Sequence, residues 1–205
     1  SDAPVVLLLA HGAGAPMDTP FLNEIAMAIA AAGIEVVRFE FPYMRRRRLE
    51  GIRPGPNTAA ILRESFLAAC ATCATQRPGA KLAVGGKSMG GRIATMIADE
   101  VGAVAAVALG YPFHPPGKPE KLRTAHLEAI RTPTLILQGE RDPFGRPEEV
   151  AGYPLGAAVS VAWVPDGDHS LKPRKRSGHT EADNRRLAAV RAAAFVKEAA
   201  IGGGE

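Results

Sequence analysis

Cysteine is scarce: Cys70 and Cys73 are the only two in 205 residues. That excludes a disulfide framework and any zinc cage built from two cysteine pairs. Both fall in a stretch of helical pattern where they share one face, and the strand-then-helix setting of a thioredoxin-type redox turn is missing. They read as ordinary half-buried helix residues. Aromatic residues make up 5% of the chain, too few for base-stacking platforms, and no helix suited to reading a groove accompanies the positive charge, so nucleic acid is not expected as a partner. The apolar run Val5–Ala10 is too short for a membrane span or the core of a signal peptide. Ser1-Asp2-Ala3-Pro4 carries no basic leader, so a cytoplasmic, reducing location is expected, away from membranes. With 46% hydrophobic and 22% charged residues, the chain has a globular rather than a disordered balance. Its length fits one domain over 1–205, with a flexible Gly-rich tail over 202–205.

Apolar runs alternate with helical stripes throughout. Val5–Ala10 reads as a strand buried on both faces. Asp18 or Thr19 caps the next helix with Pro20 at its first position, and Phe21, Ile25 and Ile29 form its buried stripe. Ile34–Phe41 is β-branched and aromatic, hence a second strand, ended by Pro42 and an Arg-rich loop. Asn57 opens a helix through Leu62, Phe66 and Cys73. Leu82-Ala83-Val84 leads into a Gly-rich turn and a further helix to Val101. Val104–Leu109, Thr134–Leu137 and Val159–Val164 supply later strands, and Glu181–Ala200 closes the chain as a helix. Residues 111–130 begin Pro-rich and continue helical, the pattern of a short lid-like insertion. Such alternation predicts a mostly parallel sheet of about six strands with helices on both faces.

Gly86-Lys87-Ser88-Met89-Gly90 fits G-x-S-x-G between a strand and a helix. The chemistry requires glycines there because a strained turn brings the residues two before and two after the serine together. As a phosphate loop the segment fails, since Lys81 stands where a glycine is needed. The dinucleotide fingerprint that starts at Gly12-Ala13-Gly14 fails at Met17. A serine hydroxyl needs a base. Of five histidines, His169 lies just past the last strand, at the edge where catalytic loops gather. His179 is the nearest competitor, and His126 reads as structural. Asp142, on a turn fixed by Pro143 after the penultimate strand, is the orienting acid, with Asp168 as the alternative. Small residues in His11-Gly12-Ala13-Gly14-Ala15 resemble an HGGG-type loop, so the backbone N–H groups of Met89 and of Ala13 or Gly12 are the candidate oxyanion donors, and His11 shapes the loop.

The segments AHGAGAPMDTPF, FEFPYM, GKSMGGR, GYPFHPPGKPEKLR, QGERDPFG and GDHSL span nearly the whole chain. Together they resemble the α/β-hydrolase superfamily in its minimal form, in particular the small KANL/Tex family of hydrolase-like proteins related to dienelactone hydrolases. The resemblance implies a sheet order of 2-1-3-4-5-6 and Ser88, Asp142 and His169 as the triad.

Net charge is +4, concentrated in Arg45–Arg48 with Arg53 and in Lys172 with Arg174–Arg176. Both runs should border the active edge of the sheet, either drawing in anions or standing as solvated, acid-paired surface. Arg45, Arg46, His114 and Lys172 are the candidate substrate contacts. The expected activity is serine hydrolysis of a small carboxylic ester or thioester through an acyl-enzyme, with a preference for anionic substrates and no cofactor or metal. The expected state is a monomer or weak dimer. A second reading is a catalytically silent hydrolase-fold module that uses its basic rim to bind a partner.

Overall fold

Every residue of the first strand, β1 (Val5–Ala10), is apolar, and its alternating side chains supply two different cores. Leu7 and Leu9 join Ile25, Ile29, Ala192 and Val196 on one face of the sheet. Leu8 and Ala10 join Phe66, Ile93 and Ile97 on the other. The computed structural model in which this is seen describes residues 4–202. Of the tail expected over 202–205, residues 203–205 lie outside the described residues.

The remaining elements follow as α1 (Pro20–Ala31), β2 (Glu35–Phe39), α2 (Pro42–Glu50), α3 (Ala59–Gln76), β3 (Lys81–Lys87), α4 (Met89–Ile97), β4 (Ala105–Leu109), β5 (Thr134–Gly139), α5 (Pro147–Val150), β6 (Val159–Val164) and α6 (Glu181–Gly202). The six strands form one sheet in the order β2-β1-β3-β4-β5-β6, with every neighbouring pair parallel. This is the expected order. Helices α1 and α6 cover one face, and α3 and α4 the other. At α1, Thr19 accepts the Leu22 N–H and Pro20 occupies the first turn, as the sequence pattern predicts.

Two local expectations are corrected. The Arg-rich segment after Pro42 is helix rather than loop: Pro42 opens α2, Tyr43 and Met44 are buried, and Gly51 ends it in the left-handed conformation. Arg is itself a good helix former, so the segment needs no apolar stripe beyond those two anchors. Residues 111–130 form only one short 3-10 turn, Ala125–Leu127, because Pro112, Pro115, Pro116 and Pro119 interrupt any longer helix. Tyr111 and Phe113 are instead driven into a third core cluster with Leu127, Ile136 and Val150. Cys70 and Cys73 are free, buried residues of α3. Burial pushes the Cys70 thiol up to about 12 and the Cys73 thiol up as well, the opposite of a reactive thiolate.

From β1 the chain runs first to β2 on one side and later to β3 on the other. The carboxyl ends of β1 and β3 therefore open a crevice at a topological switch point. The register pairs Ala10 with Gly86, so the loop after β1 lies against the turn that carries Ser88.

Candidate active site

Ser88 joins β3 to α4 with φ 50° and ψ −114°, a backbone region that L-residues rarely occupy. The turn is held by the Ser88 N–H donating to the Leu109 carbonyl at 2.9 Å, and its close approaches explain the glycines. A Cβ at Gly86 would lie 2.5 Å from the carbonyl carbon of Gly90, and one at Gly90 would lie 2.5 Å from the His11 carbonyl oxygen. Each is far inside van der Waals contact with backbone that cannot swing aside.

The loop after β6 brings His169 over this turn. Its Nε2 lies 2.8 Å from Ser88 Oγ, and its Nδ1 lies 2.8 Å from Asp142 Oδ2. Asp142 is fully buried, yet its carboxylate is saturated with donors. Oδ1 accepts the Phe144 N–H at 2.9 Å, and Oδ2 also accepts Gln138 Nε2 at 2.9 Å. A carboxylate that accepts from Nδ1–H leaves Nε2 with its lone pair toward the serine hydroxyl, the tautomer a general base requires. The Phe144 ring packs on the imidazole with centroids 4.2 Å apart. The two competitors do other work. Asp168 Oδ1 accepts the Ser170 and Lys172 N–H groups and closes its own turn. His179 is exposed in the following loop.

Ala13 and Met89 line the cavities beside Ser88. Among the described residues, the N–H groups of Met89 and Ala13 donate to no protein acceptor, which leaves them free for an oxyanion. Gly12 backs onto the serine, where an added Cβ would sit 3.7 Å from Ser88 Cβ. The loop is fixed from below. His11 Nδ1–H donates to the Gly12 carbonyl at 2.7 Å while Nε2 accepts the Phe41 N–H at 3.1 Å. Burial holds the His11 pKa down, so the ring stays neutral and can do both. The Tyr43 hydroxyl donates to the Ala13 carbonyl at 2.9 Å, and burial raises its pKa to about 12, so it keeps its proton. A cavity of about 450 Å³ opens over Ser88, with Phe21, Leu22, Pro16 and Phe144 as apolar wall and His169 on its rim.

A family model described as an alpha/beta hydrolase domain matches residues 3–197. The chain belongs to the α/β-hydrolase family. Solved structures agree in fold. An alpha-beta serine hydrolase homologue from Coxiella burnetii superposes with a TM-score of 0.71 at 18% identity, over 92% of this chain and 84% of that one. Est1E from Butyrivibrio proteoclasticus gives 0.71 at 12% identity, over 98% and 90%. A dienelactone hydrolase from Anabaena variabilis gives 0.69 at 20%, over 96% and 87%. At such identities the likeness speaks for the fold alone.

In this α/β-hydrolase several predicted substrate contacts are occupied elsewhere. His114 is corrected first: it is 1% exposed, with Nδ1 2.9 Å from the Pro115 carbonyl and Nε2 3.6 Å from Glu149, because the Pro-rich segment buries it. Arg46 pairs with Glu50 one turn along α2 at 3.0 Å, and Lys172 lies 3.6 Å from Glu181. Arg45 projects from the exposed side of α2 and lines neither cavity beside Ser88. Much of the basic surface is likewise acid-paired. Arg48 bridges Asp18 and Glu40, and Arg174 holds the Asp166 carboxyl down to about 2.

Lys87 escaped the sequence reading because it is the variable position of the G-x-S-x-G pattern. Half-buried under the cavity, its ammonium donates to the His169 carbonyl and lies 5.8 Å from the Phe21 ring centroid. Desolvation lowers its pKa from 10.5 to about 8, against the pull of Asp142 and Asp168. Below about pH 8 the buried charge costs stability. Between pH 8 and 10.5 the unfolded chain still holds a proton that the folded chain has shed, so the cost is relieved as pH rises. From pH 7.5 to 10, the hydrolase should gain about 2–3 kcal/mol relative to Lys87→Met, read from urea midpoints, since all other titrations are shared. Parallel curves for the two proteins would show that the amine is solvated.

Proposed function

We propose that this α/β-hydrolase cleaves small carboxylic esters or thioesters through an acyl-enzyme on Ser88. The observation that supports this most is the unbroken line from the Asp142 carboxylate through the His169 imidazole to the Ser88 hydroxyl, with both links at 2.8 Å. In this reading Ser88 Oγ attacks the carbonyl carbon as its proton passes to His169 Nε2, and Asp142 stabilises the imidazolium. The oxyanion is received by the Met89 and Ala13 N–H groups, which donate to no acceptor among the described residues. The tetrahedral adduct collapses, His169 protonates the departing oxygen or sulfur, and a water activated by the same imidazole releases the acid. Net positive charge favours anionic substrates through long-range attraction. Buried, unpaired Cys70 and Cys73 suit a cytoplasmic location.

Stopped-flow hydrolysis of p-nitrophenyl butyrate tests the covalent step. A burst of p-nitrophenol stoichiometric with enzyme, followed by slower steady turnover, is expected where deacylation limits. Neither burst nor turnover would favour the silent interaction module instead.

A further inference from the structure

A second cavity, of about 360 Å³, opens on the other side of Ser88 and shares Ala13, Ser88 and Phe144 with the first. Its wall carries two arginines, Arg92 and Arg123, with Met89 and Pro112 beside them. Arg92 stands one helical turn after the serine, its N–H donating to the Ser88 carbonyl at 2.9 Å. Arg123 is carried by the segment after β4, where its N–H donates to the Phe113 carbonyl at 2.8 Å and its carbonyl accepts the Tyr111 hydroxyl at 2.8 Å. Both backbone anchors belong to the buried third core.

These two guanidiniums differ from the other half-buried arginines. Arg77, Arg141 and Arg185 have carboxylate partners, and Arg38 and Arg47 donate to oxygens of Met17 and Pro54. Among the described residues, the side chains of Arg92 and Arg123 make neither an ion pair nor a hydrogen bond, and Arg92 Nε is fully buried without an acceptor. Burial and, after it, the positive charge of Arg92 hold the Arg123 pKa down. The nearby imidazole offers no relief. His126 Nε2 is 2.9 Å from Thr95 Oγ1, whose own proton goes to the Arg92 carbonyl. Burial and Arg92 push the His126 pKa down to about 4, so it is neutral. Two idle, fork-shaped cations on one catalytic wall form a receptor that lacks its anion.

The side of the serine on which they lie selects the part of the substrate. The leaving group must meet His169 Nε2, which borders the first cavity and not the second. The acyl chain then extends past Met89 into the second. Resting on the hydrolase reading above, the geometry points to Arg92 and Arg123 as a subsite for an anionic group at the far end of the acyl chain. The preferred substrates are thus esters or thioesters of an acid that carries a second carboxylate, or a phosphonate in its place.

Matched pairs test this: kcat/KM for monoethyl adipate against ethyl hexanoate, which share acyl length, with ethyl 4-phosphonobutyrate as the second anion. The wild type should favour the charged ester by about 10-fold or more, and Arg123→Gln should lower that ratio by roughly 10-fold, with partial return in Arg123→Lys. Arg92→Gln should act alike, and Arg123, on a loop away from the elbow, keeps the test valid if the Arg92 variant fails to fold. A wild type that cleaves ethyl hexanoate with no preference for the charged ester, or a ratio unmoved by Arg123→Gln, overturns the subsite and leaves the hydrolase standing. A wild type that cleaves neither ester and reacts with no fluorophosphonate overturns the hydrolase reading and the subsite with it.

Discussion

Ser88→Ala is expected to lower ester turnover by about a hundred-thousand-fold while leaving the fold intact. The size follows from the chemistry: without the hydroxyl there is no acyl-enzyme, and only oriented donors and binding remain to assist water. The fold should survive because, among the described residues, Ser88 Oγ bonds only to His169 Nε2, and alanine bears the same backbone strain at φ 50° as serine does. Active-site titration counts any contaminating wild-type enzyme, and the unfolding free energies from urea curves should agree within about 1 kcal/mol. Loss of less than about tenfold would mean that another nucleophile, or none, does the work.

Asp142→Asn should cost roughly ten-thousand-fold in kcat with little change in KM. The asparagine amide has no good orientation here. With its NH₂ toward His169 it would meet the Nδ1–H and the Gln138 Nε2 donor, and the imidazole would have to adopt the wrong tautomer. With its NH₂ toward Phe144 it would oppose the N–H that now donates to Oδ1 at 2.9 Å. The second orientation preserves the imidazole but leaves a buried donor pair unsatisfied, so some stability is lost in either case, of order 1–3 kcal/mol. Activity that fell in proportion to the folded fraction alone would deny Asp142 its part in orienting the base.

Much of this was legible in the sequence because strong local signals agreed with one another. Unbroken apolar runs such as Val5–Ala10 marked strands covered on both faces, and Thr19-Pro20 marked a helix start. The strand order came from the family resemblance, since periodicity does not say which strands are neighbours. What went unread depended on residues distant in the chain. The helix over Pro42–Glu50 hides among arginines because only Tyr43 and Met44 anchor it. The segment 111–130 carries Leu127 and Ile130 at a helical spacing, but the prolines and the burial of Tyr111 and Phe113 prevail. Arginine runs look alike in sequence whether paired or idle. Nothing near Arg48 in sequence order reveals that Asp18 and Glu40 neutralise it. Arg92 left one trace, its position four residues after Ser88 on the same helix face, and nothing in the sequence ties Arg123 to it.

The central claim is that the strained turn presents Ser88 as a nucleophile activated by His169. Intact-mass measurement after incubation with a fluorophosphonate probe, followed by peptide mapping, tests it most directly. One adduct per chain, on Ser88, absent from Ser88→Ala and from urea-unfolded protein, is the predicted result. No adduct on the native protein, or an adduct at any other residue, would contradict it.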